Sequence, residues 1–330
     1  MGLEAYVNTL GQYCQKHFGQ RLQKLTIDAG FDCPNRDGSL GVGGCTFCNV
    51  QSFSHEHGTQ ASISEQLAKG KQNPKRGAKR YLAYFQAYTS TYDELQVLKR
   101  KYQEAIHSGM VDGLCIGTRP DCVADSVLDL LQDYQNQGYE IWLELGLQTS
   151  NNKTLKRINR GHDFAAYADT LKRAQGRNIK VCCHLILGLP GETLADYRQS
   201  LDDILRLGVD GIKLHPLHIV EGSTMAKAWR AGRLETMTLD EYTDAAVDLI
   251  RRTPAQVVFH RVTAYAKPPM LLAPDWAGFR WPGNNMIVEK LRKLGPQGSA
   301  LNDPELKFDS SQIAAFDALN HGAHSVVSVK

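Results

Sequence analysis

Residues 33–48 read CPNRDGSLGVGGCTFC, a glycine-rich loop that carries three cysteines in a C-x11-C-x2-C array. The loop follows the first predicted strand, 22–28. Soft thiolates select zinc or iron–sulfur clusters, and the x2 pair lets two sulfurs reach one centre. Glycine allows the backbone to wrap tightly around such a centre. The sequence therefore predicts a metal centre held by Cys33, Cys45 and Cys48.

Around this loop, short β-branched or aromatic runs alternate with longer amphipathic stretches, a pattern typical of a parallel α/β sheet. The predicted strands are 22–28, 80–86, 112–117, 140–146, 180–187 and 209–214. The predicted helices between them are 61–70, 93–108, 124–137, 163–177 and 193–207. Six βα units result. Periodicity alone leaves both a doubly wound sheet and a partial barrel open.

The ends of the chain depart from this alternation. A leading helix is predicted over 3–18. Beyond about residue 220 the pattern indicates helices near 224–232 and 238–251, a strand near 256–262, and a Pro- and Trp-rich stretch at 267–283. We therefore expect a βα domain over 1–220, with the cysteine loop at 29–50, and a helical and mixed cap over 221–330 that extends it.

Composition narrows the class of protein. The chain has 330 residues, 42% hydrophobic and 22% charged, with a formal net charge of +3. These values exclude a disordered or fibrous chain and give no global sign of a polyanionic partner. No apolar run approaches the length of about 18 residues that a membrane span needs, and the start lacks the regions of a signal peptide. We expect a cytoplasmic protein without a membrane partner.

The cysteine loop admits two interpretations. A structural zinc site closes with a fourth Cys or His, and His55 and His57 lie nearby in the sequence, so a zinc-stabilised α/β binding module is one alternative. Three cysteines without a fourth ligand would instead leave a position open for a substrate or cofactor. An iron–sulfur cluster with an open iron predicts an enzyme.

Three phrases carry a resemblance: CPNRDG at 33–38, GGCTFCN at 43–49 and RINRGH at 157–162. With them the chain resembles the radical S-adenosylmethionine (SAM) superfamily, whose usual spacing is C-x3-C-x2-C. The wider first gap resembles the elongator-catalytic-subunit-like branch and, over almost the whole chain, the bacterial YhcC/YtqA family. The resemblance implies an α/β fold with a partial (β/α)6 TIM-type barrel, and a [4Fe–4S] cluster on the three cysteines. It also implies SAM at the open iron, a 5′-deoxyadenosyl radical, and an electron donor such as flavodoxin or ferredoxin.

The same resemblance implies contacts to SAM from successive strand ends. Phe47 would lie near the adenine, and Gly188 belongs to the turn that supports it. The segment for the methionyl amino group departs from its usual Gly-Gly-Glu wording, but its position implicates Gln86, Tyr88 and Thr89. Glu144 and Gln148 would contact the ribose. For Glu144 an ion pair inside the barrel stays open, as does an anchoring role in the core for Phe47.

Further polar side chains are expected at the mouth of the barrel. Lys213 and His215 are candidates for substrate contact or proton transfer, with His218 beside them, although a histidine on a strand is more often a core residue. Arg119 and Asp121 could contact substrate or form an ion pair that secures their loop. The catalytic residues stay unassigned.

Two runs are locally basic, Lys69–Arg80 and 151–180, and both contain or adjoin aromatic residues, a mixture that suits unpaired RNA bases. A solvated helix face gives the same pattern. The resemblance to the elongator subunit implies tRNA as partner and a wobble-uridine side chain as substrate. A small-metabolite substrate stays the alternative, and the sequence does not predict the oligomeric state.

Overall fold

The computed structural model of the chain describes residues 2–49, 52, 58–72, 74 and 77–301. Strands and helices alternate from the first strand to the seventh helix, before a mixed C-terminal segment. The strands are β1 (Arg21–Ile27), β2 (Ala78–Phe85), β3 (Gly113–Thr118), β4 (Glu140–Gln148), β5 (Lys180–Leu187), β6 (Gly211–Pro216), β7 (Ile219–Val220), β8 (Val258–Arg261) and β9 (Leu271–Ala273). The helices are α1 (Leu10–Phe18), α2 (Ile63–Lys71), α3 (Leu95–His107), α4 (Asp125–Asn136), α5 (Asn152–Arg157), α6 (Phe164–Gln175), α7 (Leu194–Arg206), α8 (Thr224–Arg230), α9 (Leu239–Arg252) and α10 (Pro282–Leu294).

The main sheet has the order β1-β2-β3-β4-β5-β6-β8, and each neighbouring pair is parallel. The strands follow one another in chain order, without the reversal of a doubly wound sheet, and the sheet curls into a partial barrel, which confirms the predicted fold class. The first six strands are the predicted βα units. The seventh, β8, comes from the segment expected to be a cap, and it extends the barrel beside β6. Strands β7 and β9 form a separate antiparallel ribbon.

Successive side chains along each strand point to opposite faces of the sheet. On β4, Leu143 and Leu145 face outward and join the large core beneath the helices, whereas Trp142 joins a smaller cluster on the inner face. Tyr13 of α1 packs against this smaller apolar cluster. None of the helices in the described ranges is long and apolar enough to cross a bilayer.

The predicted leading helix over 3–18 is wrong for its first half. Leu3–Ala5 is a short 3-10 turn, and α1 begins only after Thr9. Thr9 has an extended backbone and bridges to Phe259 at the edge of β8, while its side chain caps α1 by accepting from the backbone N–H of Gln12. Pairing with a strand from the other end of the chain outweighs the local helical pattern, and it covers the edge strand.

All carboxyl ends of the parallel strands meet at one rim of the barrel. The loops that follow them hold the cysteine array after β1, the RINRGH segment after β4, and the turn at 188–193 after β5. Residues 262–281 follow β8 at the same rim. This rim is where barrels of this kind place their chemistry.

Candidate active site

Cys45, the second cysteine of the loop, is buried. Its sulfur accepts from Arg160 Nη1 at 3.4 Å and from Asn35 Nδ2 at 3.5 Å. Arg160 is itself fixed, because its Nε and Nη2 donate to the carbonyl oxygen of Gly146 on β4, at 3.1 and 2.6 Å. The guanidinium therefore ties a cysteine sulfur to the body of the barrel.

The RINRGH segment, residues 157–162, clamps the cysteine loop. The backbone N–H of Thr46 donates to Ile158 at 3.0 Å, and Asn159 Nδ2 donates to the carbonyl of Gly44 at 2.9 Å. Gly161 has φ +77°, and a Cβ there would come within 2.4 Å of Asn35 Oδ1. Only glycine fits this close approach.

The β7 side of the rim holds the end of the same loop. Asn49 Nδ2 donates to the carbonyl of Glu221 at 2.7 Å, and the backbone N–H of Met225 donates to Thr46 at 2.9 Å. The loop between the first and last cysteine is thus fastened to both halves of the barrel.

The residues present fit a cluster bound by thiolates. Burial, with Cys45 and Cys33 close by, raises the pKa of the Cys48 thiol to about 12. Three thiols in one loop need a cationic centre to become thiolates together, and the N–H donors to Cys45 suit a sulfur that carries negative charge. Two buried nitrogens near this loop, Arg119 Nη1 and His162 Nε2, have no hydrogen-bond partner within the described chain.

The other residues predicted to contact SAM lie around the cysteine loop, and their roles stay predictions. Phe47 is half-buried and packs against the outer core, and Gln86 is half-buried directly after β2. Tyr88 has φ +55°, and the Arg36 guanidinium lies 5.5 Å from its ring centroid. The backbone N–H of Thr89 donates to Asp32 at 3.2 Å, which joins the end of β2 to the residue before Cys33.

Gln148 and Gly188 end their strands at the same rim. Gln148 closes β4 with φ +81°, a backbone conformation that a residue with a side chain adopts only where the surroundings impose it. Gly188 has φ +94°, and a Cβ there would lie 3.2 Å from Met237. Both positions stay predictions for SAM contacts, and both have the constrained backbone common at such sites.

Glu144 is completely buried and lies four residues before the end of β4. Its carboxylate forms ion pairs with Lys24 and Lys213. It also contacts His184 Nε2 at 2.9 Å and His260 Nδ1 at 3.0 Å. The ion pair inside the barrel, which the sequence left open, is therefore present. Both oxygens of this carboxylate are therefore occupied by these contacts.

We call Glu144, Lys24, Lys213, His184 and His260 the inner cluster. Burial and their contacts with one another set their protonation states. The two lysines hold the pKa of Glu144 well below its usual range in spite of its burial. Burial, offset by the carboxylate, lowers the pKa of Lys213 to about 8. Burial lowers the pKa of His184 to about 4 and that of His260 to about 3, so both imidazoles are neutral at pH 7.

Glu144, Cys182 and His184 bring three possible metal-binding atoms within 4.8 Å of one another. Two ammonium groups already contact the carboxylate, and burial raises the pKa of the Cys182 thiol well above its ordinary value. A metal ion would be a third cation at this position and would be repelled. The cluster is a charged hydrogen-bond network and not a metal site.

Among the remaining candidates, His215 lies on β6, and its ring centroid is 4.5 Å from that of His218. Arg119 donates to both oxygens of Asp121, from Nε at 3.0 Å and from Nη2 at 2.7 Å. This bidentate pair is the securing contact that the sequence left open. His55 and His57, the possible zinc ligands, lie outside the described residues.

Several cations of the two basic runs, among the described residues, pair with carboxylates. In the first, Arg80 pairs with Asp112, and Lys75 and Arg76 lie outside the described residues. In the second, Arg173 and Arg177 pair with acidic residues of the outer helices. The solvated helix face, the alternative interpretation, describes these paired side chains better.

Sequence reasoning assigned no role to Asn35, Arg160, Lys24, His260 or Arg261. A signal existed for Lys24, which is a charged residue at an alternate position of a strand, as is Lys213. The roles of Asn35 and Arg160 required knowledge that the two quoted phrases touch. His260 lies in the strand predicted near 256–262, which the structure confirms as β8, but the sequence assigned that strand to the cap and not to the barrel.

Comparison with known proteins agrees with this geometry. The radical SAM superfamily model matches residues 36–204, and the radical SAM C-terminal domain model matches residues 209–293. Protein YhcC of Escherichia coli (strain K12) is 56% identical over 306 residues, which cover 93% of this chain and 99% of that protein. Protein YtqA of Bacillus subtilis (strain 168) is 35% identical over 295 residues, 88% of this chain and 91% of that protein.

Two more distant matches cover a smaller share of the relative's own length. A tRNA uridine(34) acetyltransferase of Dehalococcoides mccartyi is 30% identical over 154 residues, 46% of this chain and 32% of that protein. The solved structure of Methanocaldococcus infernus Elp3 covers 88% of this chain and 69% of its own, with a TM-score of 0.59. At 15% identity this second match supports the fold alone.

Members of the matched superfamily bind a [4Fe–4S] cluster and SAM, and the donor set of the cysteine loop suits such a cluster. The zinc-stabilised binding module is therefore set aside. With a superfamily model over half of its length and relatives alike from end to end, this chain belongs to the radical SAM enzymes and, among them, to the YhcC/YtqA family.

Proposed function

We propose that this radical SAM enzyme modifies the side chain of a wobble uridine in tRNA. One support is the partial match to a protein whose name gives uridine 34 of tRNA as its substrate. The observation that carries the proposal is a surface at the barrel rim, which we call the aromatic surface and define as Tyr265, Phe279, Arg280 and Trp281.

The aromatic surface has the composition that suits unpaired bases. Its three rings are unusually exposed, with 42% of Tyr265, 68% of Phe279 and 59% of Trp281 accessible to solvent. The Arg280 guanidinium lies 5.7 Å from the ring of Tyr265 and 5.4 Å from that of Trp281. Stacking of bases on such rings contributes about 1–3 kcal/mol per base, and arginine adds contact to phosphate.

Its position relative to the cysteine loop also supports the proposal. The segment that carries it follows β8 at the carboxyl-end rim. Tyr265 precedes β9, the other three residues of the surface follow it, and β9 pairs with β7. The residue after β7, Glu221, accepts from Asn49 of the cysteine loop. A tRNA loop stacked on the aromatic surface would lie on the rim at which the cluster is held.

Cys33, Cys45 and Cys48 would hold the cluster, while Gln148, Gly188 and the segment 86–89 would orient SAM at the rim. When bound, the cluster and SAM supply a 5′-deoxyadenosyl radical able to remove a hydrogen atom from carbon. Arg160 and Asn35 keep the Cys45 sulfur in place, and the inner cluster around Glu144 provides polar groups below the rim. Flavodoxin or ferredoxin is the proposed electron donor.

The chemistry is tested first. The protein is reconstituted anaerobically with iron and sulfide and treated with dithionite and SAM, and 5′-deoxyadenosine is measured. We expect its formation in the wild type and in Cys14→Ala, whose cysteine lies in α1 away from the loop, and its loss in Cys45→Ala. Equal formation in Cys45→Ala would overturn the cluster assignment.

The substrate is tested separately by retardation of tRNA in a native gel. We expect binding that weakens at high salt, because contacts to phosphate release counterions. Trp281→Ala and Arg280→Gln should weaken it, whereas Leu294→Ala, an exposed apolar side chain at the far end of α10, should not. Absence of salt-sensitive tRNA binding, with 5′-deoxyadenosine still formed, would reject RNA and leave a small metabolite.

A further inference from the structure

Arg261 is a cation without a partner in the wall of the barrel. It ends β8 and is half-buried, and its guanidinium forms no hydrogen bond or ion pair within the described chain. A register shift between β6 and β8 skips His260, so that Lys213 pairs with Arg261 across the sheet. Paired residues of parallel strands share a face, so this bulge turns Arg261 to the inner face with Lys213.

Among the described residues Arg261 pairs with no carboxylate, although Glu4 lines the same cavity. Burial lowers the pKa of His184, His215 and Lys213, and the nearby guanidinium of Arg261 lowers each of them further. The inner cluster and Arg261 together contain three cations, Lys24, Lys213 and Arg261, but Glu144 is the one carboxylate among these described groups, and two of the cations already share it. The inner face therefore carries a surplus of positive charge.

Polar atoms without partners also accumulate there. His260 and His218 each have a buried Nε2 that makes no hydrogen bond within the described chain. Solvent nevertheless reaches the inner cluster, because the side chains of His184 and Lys24 are 25% and 16% exposed. Buried polar atoms normally have partners, and those left without one in a cleft indicate a missing ligand.

We propose that Arg261 and Lys213 form an anion-binding site on the inner face of the barrel, which takes a carboxylate or phosphate group of the substrate. Arg261 would bind the two oxygens through its planar guanidinium, and the Lys213 ammonium would add a third donor. The neutral imidazoles provide hydrogen-bonding atoms around the rest of the ligand. The anion is part of a substrate only if the proposed function holds, so this proposal rests on it. The test measures binding and does not use the radical reaction.

The test is isothermal titration calorimetry on the cluster-loaded protein, with inorganic phosphate and acetate as separate probes. Saturable binding of phosphate alone would assign the anion to a nucleotide, and binding of acetate alone would assign it to a carboxylic acid. Arg261→Gln should weaken binding at least about tenfold, the loss expected for one charge-assisted hydrogen bond. Arg261→Lys should keep part of the affinity, and Arg292→Gln, an exposed arginine of α10, should keep all of it.

Three results would overturn the proposal. The first is equal affinity in Arg261→Gln and wild type, and the second is no saturable binding of either anion. The third is competitive displacement of the anion by SAM, which would assign the site to the carboxylate of the cofactor. Each is independent of 5′-deoxyadenosine formation and of tRNA retardation, so failure here and failure of the proposed function are distinguishable.

Discussion

Glu144→Gln provides the most direct test of the inner cluster. The change keeps the shape of the side chain but removes its charge, which leaves Lys24 and Lys213 without their shared anion. Removal of one partner from a buried ion pair costs about 3–5 kcal/mol. Lys24 is 16% exposed and can be rehydrated, whereas Lys213 is only 7% exposed. We therefore expect the free energy of unfolding to fall by about 3 kcal/mol, at the lower end of that range.

The pH dependence of this loss has a definite sign. The folded-state pKa of Lys213, about 8, lies below its ordinary value of 10.5, so the unfolded chain binds more protons between these pH values. Stability from this lysine is complete above about pH 10.5 and is lost as pH falls through its folded pKa. Without the carboxylate that pKa falls further, so the penalty of Glu144→Gln should be larger at pH 7 than at pH 9, where Lys213 is mostly neutral in both proteins.

Urea unfolding at pH 7 and pH 9, with midpoint and slope both reported, measures this effect. Glu289→Gln is the matched control, because Glu289 forms an exposed pair with Lys293 and its loss should leave stability unchanged. A Glu144→Gln protein within about 1 kcal/mol of wild type at pH 7 would refute the reasoning, since that is the range of a solvated pair.

Three further predictions concern the loop and the cluster. Arg160→Gln removes a donor to the Cys45 sulfur, so the reduction potential of the reconstituted cluster should become more negative in a redox titration, while the exposed Lys156→Gln leaves it unchanged. Gly161→Ala should prevent full cluster incorporation, measured as iron per protein, because its Cβ would displace Asn35. Gly138→Ala, with φ +93° and open space around it, should retain the iron. In His260→Asn the loss of stability on acidification below about pH 6 should be shallower by about 1.4 kcal/mol per pH unit, because the neutral buried imidazole, with its pKa lowered to about 3, no longer takes up a proton on unfolding. An unchanged potential, full iron content in Gly161→Ala, or parallel pH profiles would contradict the respective prediction.

Much of the site was predictable because its signals are local. The array of Cys33, Cys45 and Cys48 is a short-range pattern, and the alternation of strands and helices up to about residue 216 follows from side-chain periodicity. Gly188 was predictable at the end of β5 for the same reason, because glycine and proline mark a tight turn after a strand. These features depend on residues a few positions apart in the chain, so the sequence alone predicts them.

Local sequence did not predict the true start of the N-terminal helix or the place of the seventh strand in the barrel sheet, although it predicted the strand itself near 256–262. Residues 3–9 have a helical pattern, yet Thr9 pairs with Phe259, and β8 joins a sheet whose other strands end some 40 residues earlier in the chain. Both outcomes depend on the edge of the curled, open sheet, which exists only once the strands have assembled. The energy of pairing at that edge outweighs local propensity, which spans well under about 1 kcal/mol for ordinary residues.

The sequence by itself determined the cysteine array, the α/β class and the family, because motif and periodicity are written along the chain. Only the tertiary structure decided that Lys24, Glu144, Lys213 and His260 form one network, and that Arg261, among the described residues, pairs with no carboxylate. The physical reason is that these side chains come from four different strands, and their charges and protonation states depend on burial and mutual distance. Both quantities are set when the sheet curls and places its inner faces opposite one another.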